Sequence, residues 1–207
     1  MTNLELGTLF STYGSVAFLS YVFGGVLADK FSPRKLLAYS LMLTSLGGIF
    51  MMSYPSYFTM QLIYAYWGFT TVFLFWAPMI KATSIIGGLK KQGKTFSFLD
   101  AGRGIVASSI GIVGVLIFAF VVVGDISDST LKEKQDAFRY VIGASSLIVF
   151  ITGLIVYNFL NIEIDSEAKI GDFRDMKKLM KSKSVILIGL IILTAYMGYK
   201  ITDIYSL

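Results

Sequence analysis

A chain of 207 residues that is 55% hydrophobic and 15% charged, with mean hydropathy +0.71, has too few polar side chains to cover a soluble globule. The bilayer is its expected solvent and an all-α membrane fold its expected class. It has no cysteine and no histidine, which excludes disulfides, thiolate metal sites and the commonest neutral-pH proton shuttle, so no enzyme activity and no cofactor are expected.

The net charge of +5 sits in short loops between apolar stretches and forms no continuous face for nucleic acid. Thr2-Asn3-Leu4-Glu5 leads into the first apolar stretch without a basic n-region, so no cleavable signal is expected and that stretch itself directs insertion. A helix crossing the hydrocarbon core needs about 20 mostly apolar residues. Six segments meet that length, near Leu6–Ala28, Leu36–Tyr54, Phe58–Ile80, Gly104–Val123, Tyr140–Leu160 and Val185–Tyr205. Each is too long and continuous for a strand. Buried helices of a soluble protein are the competing reading, and six of them with so few polar faces argue against it.

Orientation follows from the lysines and arginines, which cytoplasmic loops retain. Fourteen of the eighteen fall on one side of the predicted spans, against Lys132, Lys134, Arg139 and Lys200 on the other. The loop after the first span is therefore cytoplasmic, and both chain ends face outward.

That loop reads Gly25-Val-Leu-Ala-Asp29-Lys30-Phe-Ser32-Pro33-Arg34-Lys35. A glycine four residues before a carboxylate, followed by a basic cluster, resembles the loop between helices two and three of the major facilitator superfamily, G-x-x-x-D-[RK]-x-G-[RK]-[RK]. Gly25, Asp29, Lys30 and Arg34 fit the pattern. Ser32 stands where glycine is usual and Pro33 where a basic residue is, and an ordinary basic turn is the alternative reading.

The resemblance implies part of a twelve-helix transporter built from two six-helix halves, moving a small solute by alternating access in a bacterial inner membrane. The six spans then correspond to helices two to seven of that fold. Residues 1–160 form a partial N-terminal half, residues 161–184 a cytoplasmic linker, and residues 185–207 the first helix of the C-terminal half, so the chain is expected to be a fragment. A self-contained six-helix protein that assembles into an oligomeric channel or carrier is the alternative. The resemblance also implies that Asp29 helps hold the two halves closed on the cytoplasmic side, with Arg103, Lys81 or Arg34 as its charge partner.

By the same pattern the third and sixth spans line the central cavity. On the third, Gln61, Tyr64, Gly68, Thr71 and Phe75 recur at helical spacing, a face that fits either substrate contact, by Gln61 and Tyr64, or packing. Pro78 removes one backbone hydrogen bond near the cytoplasmic end, a possible kink. On the sixth, Tyr196, Tyr199, Lys200 and Asp203 cluster towards the outer end. Charges there either snorkel to the headgroups or serve function, Lys200 attracting an organic anion and Asp203 carrying a coupling proton or cation.

Gly88-Leu-Lys-Lys-Gln-Gly93-Lys94-Thr95 matches the phosphate-loop pattern, which works only where a strand delivers it to a helix. Here a membrane span precedes it, so a glycine-rich cytoplasmic loop is expected and nucleotide hydrolysis is the minor alternative. Asp100 and Arg103 lie three apart, near enough on a helix to pair. Gly104, Ser108, Gly111 and Gly114 put small residues on one face of the fourth span, suited to close helix packing. Spans two and five carry little but aliphatic, aromatic and small residues, as lipid-facing helices do. In the linker, Phe173, Met176, Leu179 and Met180 with Lys177, Lys178, Lys181 and Lys183 suit a short amphipathic helix on the anionic inner leaflet, capped by Asp172.

Overall fold

The computed structural model describes residues 2–122, 129–162, 181–191 and 194. The chain divides into two units, residues 1–168 and 169–207. Among the described residues nearly all are helical and none is in a strand. Tyr196, Tyr199, Lys200 and Asp203, and the predicted linker helix through Met180, lie outside the described residues; in the second unit residues 183–191 are helical.

Local sequence signals set most helix ends in the first unit. Helix α1 (Asn3–Lys30) opens on a T-x-x-E capping box, with the Glu5 amide donating to Thr2 Oγ1 at 3.2 Å and the Thr2 amide to the Glu5 carboxylate at 2.7 Å. It bends by 52° between Tyr21 and Phe23, beside the Gly24-Gly25 pair. It ends before Ser32-Pro33, because proline disfavours helical geometry at the residue ahead of it, and Pro33 opens α2 (Pro33–Met51). Ser56 caps α3 (Tyr57–Gly68), which runs into a π-helical turn (Phe69–Trp76) and then α4 (Ala77–Val121). A second capping box, Thr130 with Glu133, opens α5 (Leu131–Phe159).

Among the described residues three helical stretches are long and apolar enough to cross a membrane: Tyr57–Gly88, Lys90–Val121 and Leu131–Phe159. The two arms of α1 make a fourth if they form one span. Helices stand at the first five predicted spans, but the third and fourth are longer than expected. Thirty-two residues make a helix of about 48 Å, well beyond a hydrocarbon core of about 30 Å. The segment expected as a glycine-rich loop is therefore mostly helix, since charged residues outside the lipid have no reason to leave helical geometry. The chain breaks at one residue, Gly88, whose φ of 54° and ψ of −171° are open essentially to glycine alone. Beyond it the chain turns back, with Gln92 donating to Ser84 Oγ at 3.2 Å.

Lipid tails are as apolar as leucine, so these helices are held by close packing and hydrogen bonds more than by removing apolar surface from water. Large apolar side chains accordingly stay on the outside, as Phe120 does at 85% exposure. Helix α2, expected to face lipid, is more central than that. It exposes Tyr39, Leu46 and Phe50, yet buries Leu37, Ala38, Ser40 and Ser45 where it meets α5 and the π turn. Its C-terminal end is held by Arg139 of α5, which donates to the Met52 carbonyl at 3.0 Å and stacks on Tyr54, while the Tyr54 hydroxyl donates to the Gln135 carbonyl at 2.6 Å. The small-residue face of the fourth span is bare among the described residues: nothing lies within 4 Å of a Cβ at Gly104 or Gly111, and Gly114 touches Val141.

Candidate functional site

The last carbonyls of a helix have no partner within it, and the C-terminus carries partial negative charge. At the end of α1 a lysine of α4 meets both needs. Lys81 Nζ donates to the Ala28 carbonyl at 2.8 Å and to the Asp29 carbonyl at 3.3 Å, and lies 3.6 Å from Asp29 Oδ1. Lys81 is mostly covered, whereas the Asp29 side chain is 42% exposed. Ion pairing with so open a carboxylate adds little, so the carbonyl contacts carry most of the attachment. Asp29 and Lys81 stand on the wall of an open groove of about 500 Å³ that Gly25, Trp76, Ile80 and Ser84 also line. Nothing lies within 4 Å of a Cβ at Gly25, which leaves that wall low.

Of the three charge partners expected for Asp29, the structure places Lys81 there. Arg103 pairs with Asp100 at 3.2 Å, on the same helix, and its guanidinium covers the Trp76 ring at 5.1 Å. It reaches the groove through Trp76 and not through Asp29. Arg34 leaves the first turn of α2 towards the end of α5, with Asn161 Oδ1 at 3.5 Å and the Tyr157 ring at 5.8 Å. Lys30 is exposed in the last turn of α1. All of these residues belong to the first unit, so the Lys81 contact ties α1 to α4 within it and aims the carboxylate outward.

The predicted cavity face of the third span turns largely onto α1. Gln61 Nε2 donates to the Tyr57 hydroxyl at 3.2 Å, and that hydroxyl is hydrogen-bonded to Thr8 Oγ1. Tyr64 meets Phe10 edge-on at 5.7 Å. A Cβ at Gly68 would lie 2.6 Å from the Tyr13 carbonyl, and Thr71 Oγ1 is 3.1 Å from the Tyr13 hydroxyl. Phe75 departs from this face and packs with Leu37, Met79 and Ala82, because it stands near the end of the π turn that follows Gly68. The Gln61 amide is thus committed to a protein partner, while the Tyr64 hydroxyl has no hydrogen bond among the described residues.

Sequence reasoning missed Ser40, Thr44 and Thr70. Ser40 Oγ donates to the Thr70 carbonyl at 2.7 Å and Thr44 Oγ1 to Thr70 Oγ1 at 3.0 Å. Hydroxyls four apart in an apolar span were the available signal. The Gly88–Thr95 match is likewise no phosphate loop in its setting, since a helix and not a strand leads into it.

The sequence model of the Major Facilitator Superfamily matches residues 1–206, all but one residue of the chain. The chain belongs to the Major Facilitator Superfamily. It is 28% identical over 160 residues to the inner membrane protein YqcE of Escherichia coli K12, an alignment covering 77% of this chain and 36% of that one. To the inner membrane protein YihN of the same strain it is 26% identical over 206 residues, covering 96% of this chain and 47% of that one. The chain thus spans less than half the length of these relatives. No solved structure matches it. As a family member with several long apolar helices, it is an integral, multi-pass protein of the inner membrane.

Proposed function

We propose that this chain forms part of a secondary transporter that carries a small solute across the inner membrane by alternating access. Its six predicted spans take the places of helices two to seven, and the Asp29 groove is the cytoplasmic gate. The observation that carries this reading is the Lys81 contact. It holds a half-exposed carboxylate at the rim of a cytoplasmic groove, where a second surface meets it in one conformation and leaves it in the other. Gly25 lines the same groove, Lys30 and Arg34 complete the motif in sequence with Arg34 reaching towards Asn161 and Tyr157, and Arg103 shapes the groove through Trp76.

The solute path follows the third and sixth spans, with Tyr64 contributing a hydroxyl that has no partner among the described residues and Tyr196, Tyr199, Lys200 and Asp203 the outer charged cluster. Lys200 favours an organic anion, and Asp203 serves a coupling proton or cation. The absence of native cysteine makes the gate directly testable. With Ser84→Cys as the single thiol in inside-out vesicles, Asp29→Asn is expected to change labelling by a membrane-impermeant maleimide several-fold. Identical labelling in both proteins removes the gate.

A further inference from the structure

The face of the third span that meets α1 changes identity across the π turn. Tyr64 and Gly68 ahead of it, and Thr71 at its start, meet α1 at α-helical spacing. Continued in that register, the same face would pass through Phe75 and then Met79 and Ala82. Those three instead pack with Leu37 of α2, while Ala77, Lys81 and Ser84 line the groove beside the end of α1. A π turn holds about one residue more than the α-helix it replaces, which rotates everything beyond it by on the order of 100°. That rotation brings Lys81 to Asp29.

Three features hold the turn. Ser40 and Thr44, one helical turn apart on α2, bind the carbonyl and the hydroxyl of Thr70, which is fully buried. The π pattern pairs each amide with the carbonyl five residues earlier, and Pro78 has no amide to offer Phe73, so the run stops there. The Phe73 carbonyl lies against α1 at Gly24, where a Cβ would sit 3.3 Å from it.

We propose that Ser40 and Thr44 are positioning residues for the gate: by holding Thr70 they keep the π register that presents Lys81 to Asp29. Relaxation to α-helical register moves Ile80 towards the place of Lys81 and leaves the end of α1 uncapped. A hydroxyl pair deep in the apolar span thereby sets which side chain is presented at the cytoplasmic rim. The inference rests on the gate reading for its consequence, but its geometry is tested separately.

Carbodiimide joins an ammonium and a carboxylate in contact without a spacer, so the native Asp29–Lys81 crosslink, quantified by mass spectrometry of the full chain in vesicles, reports the register. Ser40→Ala with Thr44→Val is expected to lower its yield about tenfold, the shift that losing two interhelical hydrogen bonds gives. Ser40→Thr with Thr44→Ser, which keeps both hydroxyls, retains the crosslink. The single variants, with about threefold loss each, serve where the double variant does not accumulate. A crosslink unchanged by hydroxyl removal, or lost equally in the hydroxyl-retaining pair, overturns the proposal. Loss of the crosslink with unaltered Ser84→Cys labelling upholds the register device and removes the gate.

Discussion

Lys81 closes the last turn of a helix 53 residues before it, with its ammonium 2.8 Å from the Ala28 carbonyl and 3.6 Å from the Asp29 carboxylate. Contacts with the carbonyls are the stronger part of this arrangement. The two sides of the pair therefore should not respond alike to mutation.

Replacing Lys81 by methionine removes the donor and leaves the end of α1 without a cap, at an expected cost of about 1–2 kcal/mol. Asp29→Asn removes only a half-exposed charge and is expected to cost under about 0.5 kcal/mol. Thermal unfolding of the purified protein ranks the two. A larger loss for Asp29→Asn would place the energy in the ion pair instead.

Gly88 meets no neighbour, so the penalty for a side chain there is purely conformational. Gly88→Ala is expected to destabilise the protein by about 1–3 kcal/mol, and Gly93→Ala, in helix interior, to be neutral or stabilising. Comparing the two midpoints separates the break from its surroundings.

Tyr64 and Gln61 are expected to diverge. Tyr64→Phe deletes a hydroxyl that bonds nothing among the described residues, so stability stays within about 0.5 kcal/mol while KM for the transported solute rises. Gln61→Leu breaks a contact to Tyr57 and lowers stability. Unfolding midpoints and uptake by Tyr64→Phe settle the assignment, and unchanged uptake would leave Tyr64 to packing.

In the turn after α2, burial first, opposed by Arg139 and reinforced by Asp136, raises the Tyr54 phenol above its ordinary value of 10.0. The raised value means the fold favours the neutral, donating form. That stability is present below pH 10 and disappears as pH rises through the higher folded value. Midpoints recorded from neutral to strongly alkaline pH should fall more steeply for the native protein than for Tyr54→Phe. Parallel curves would assign the alkaline loss to other groups.

Trp76 gives a direct view of the groove. With Trp67→Phe leaving it as the sole tryptophan, Arg103→Met should alter its emission, because the guanidinium lies 5.1 Å over the ring. Identical spectra would mean the stacking is absent in the membrane.

The Gly25–Arg34 motif, the capping boxes at Thr2 and Thr130 and the apolar stretches were all readable from the sequence, because each depends on residues within a few positions of one another. Membrane class follows from the same local facts. Tertiary structure alone decided that Asp29 meets Lys81 and not Arg103 or Arg34. Rotation about a helix axis accumulates along its length, and a single π turn, held by two hydroxyls on another helix, redirects every side chain beyond it. Periodicity read on a straight helix put Phe75 on the face of Tyr64. The turn moved it to α2 and brought Lys81 to the end of α1.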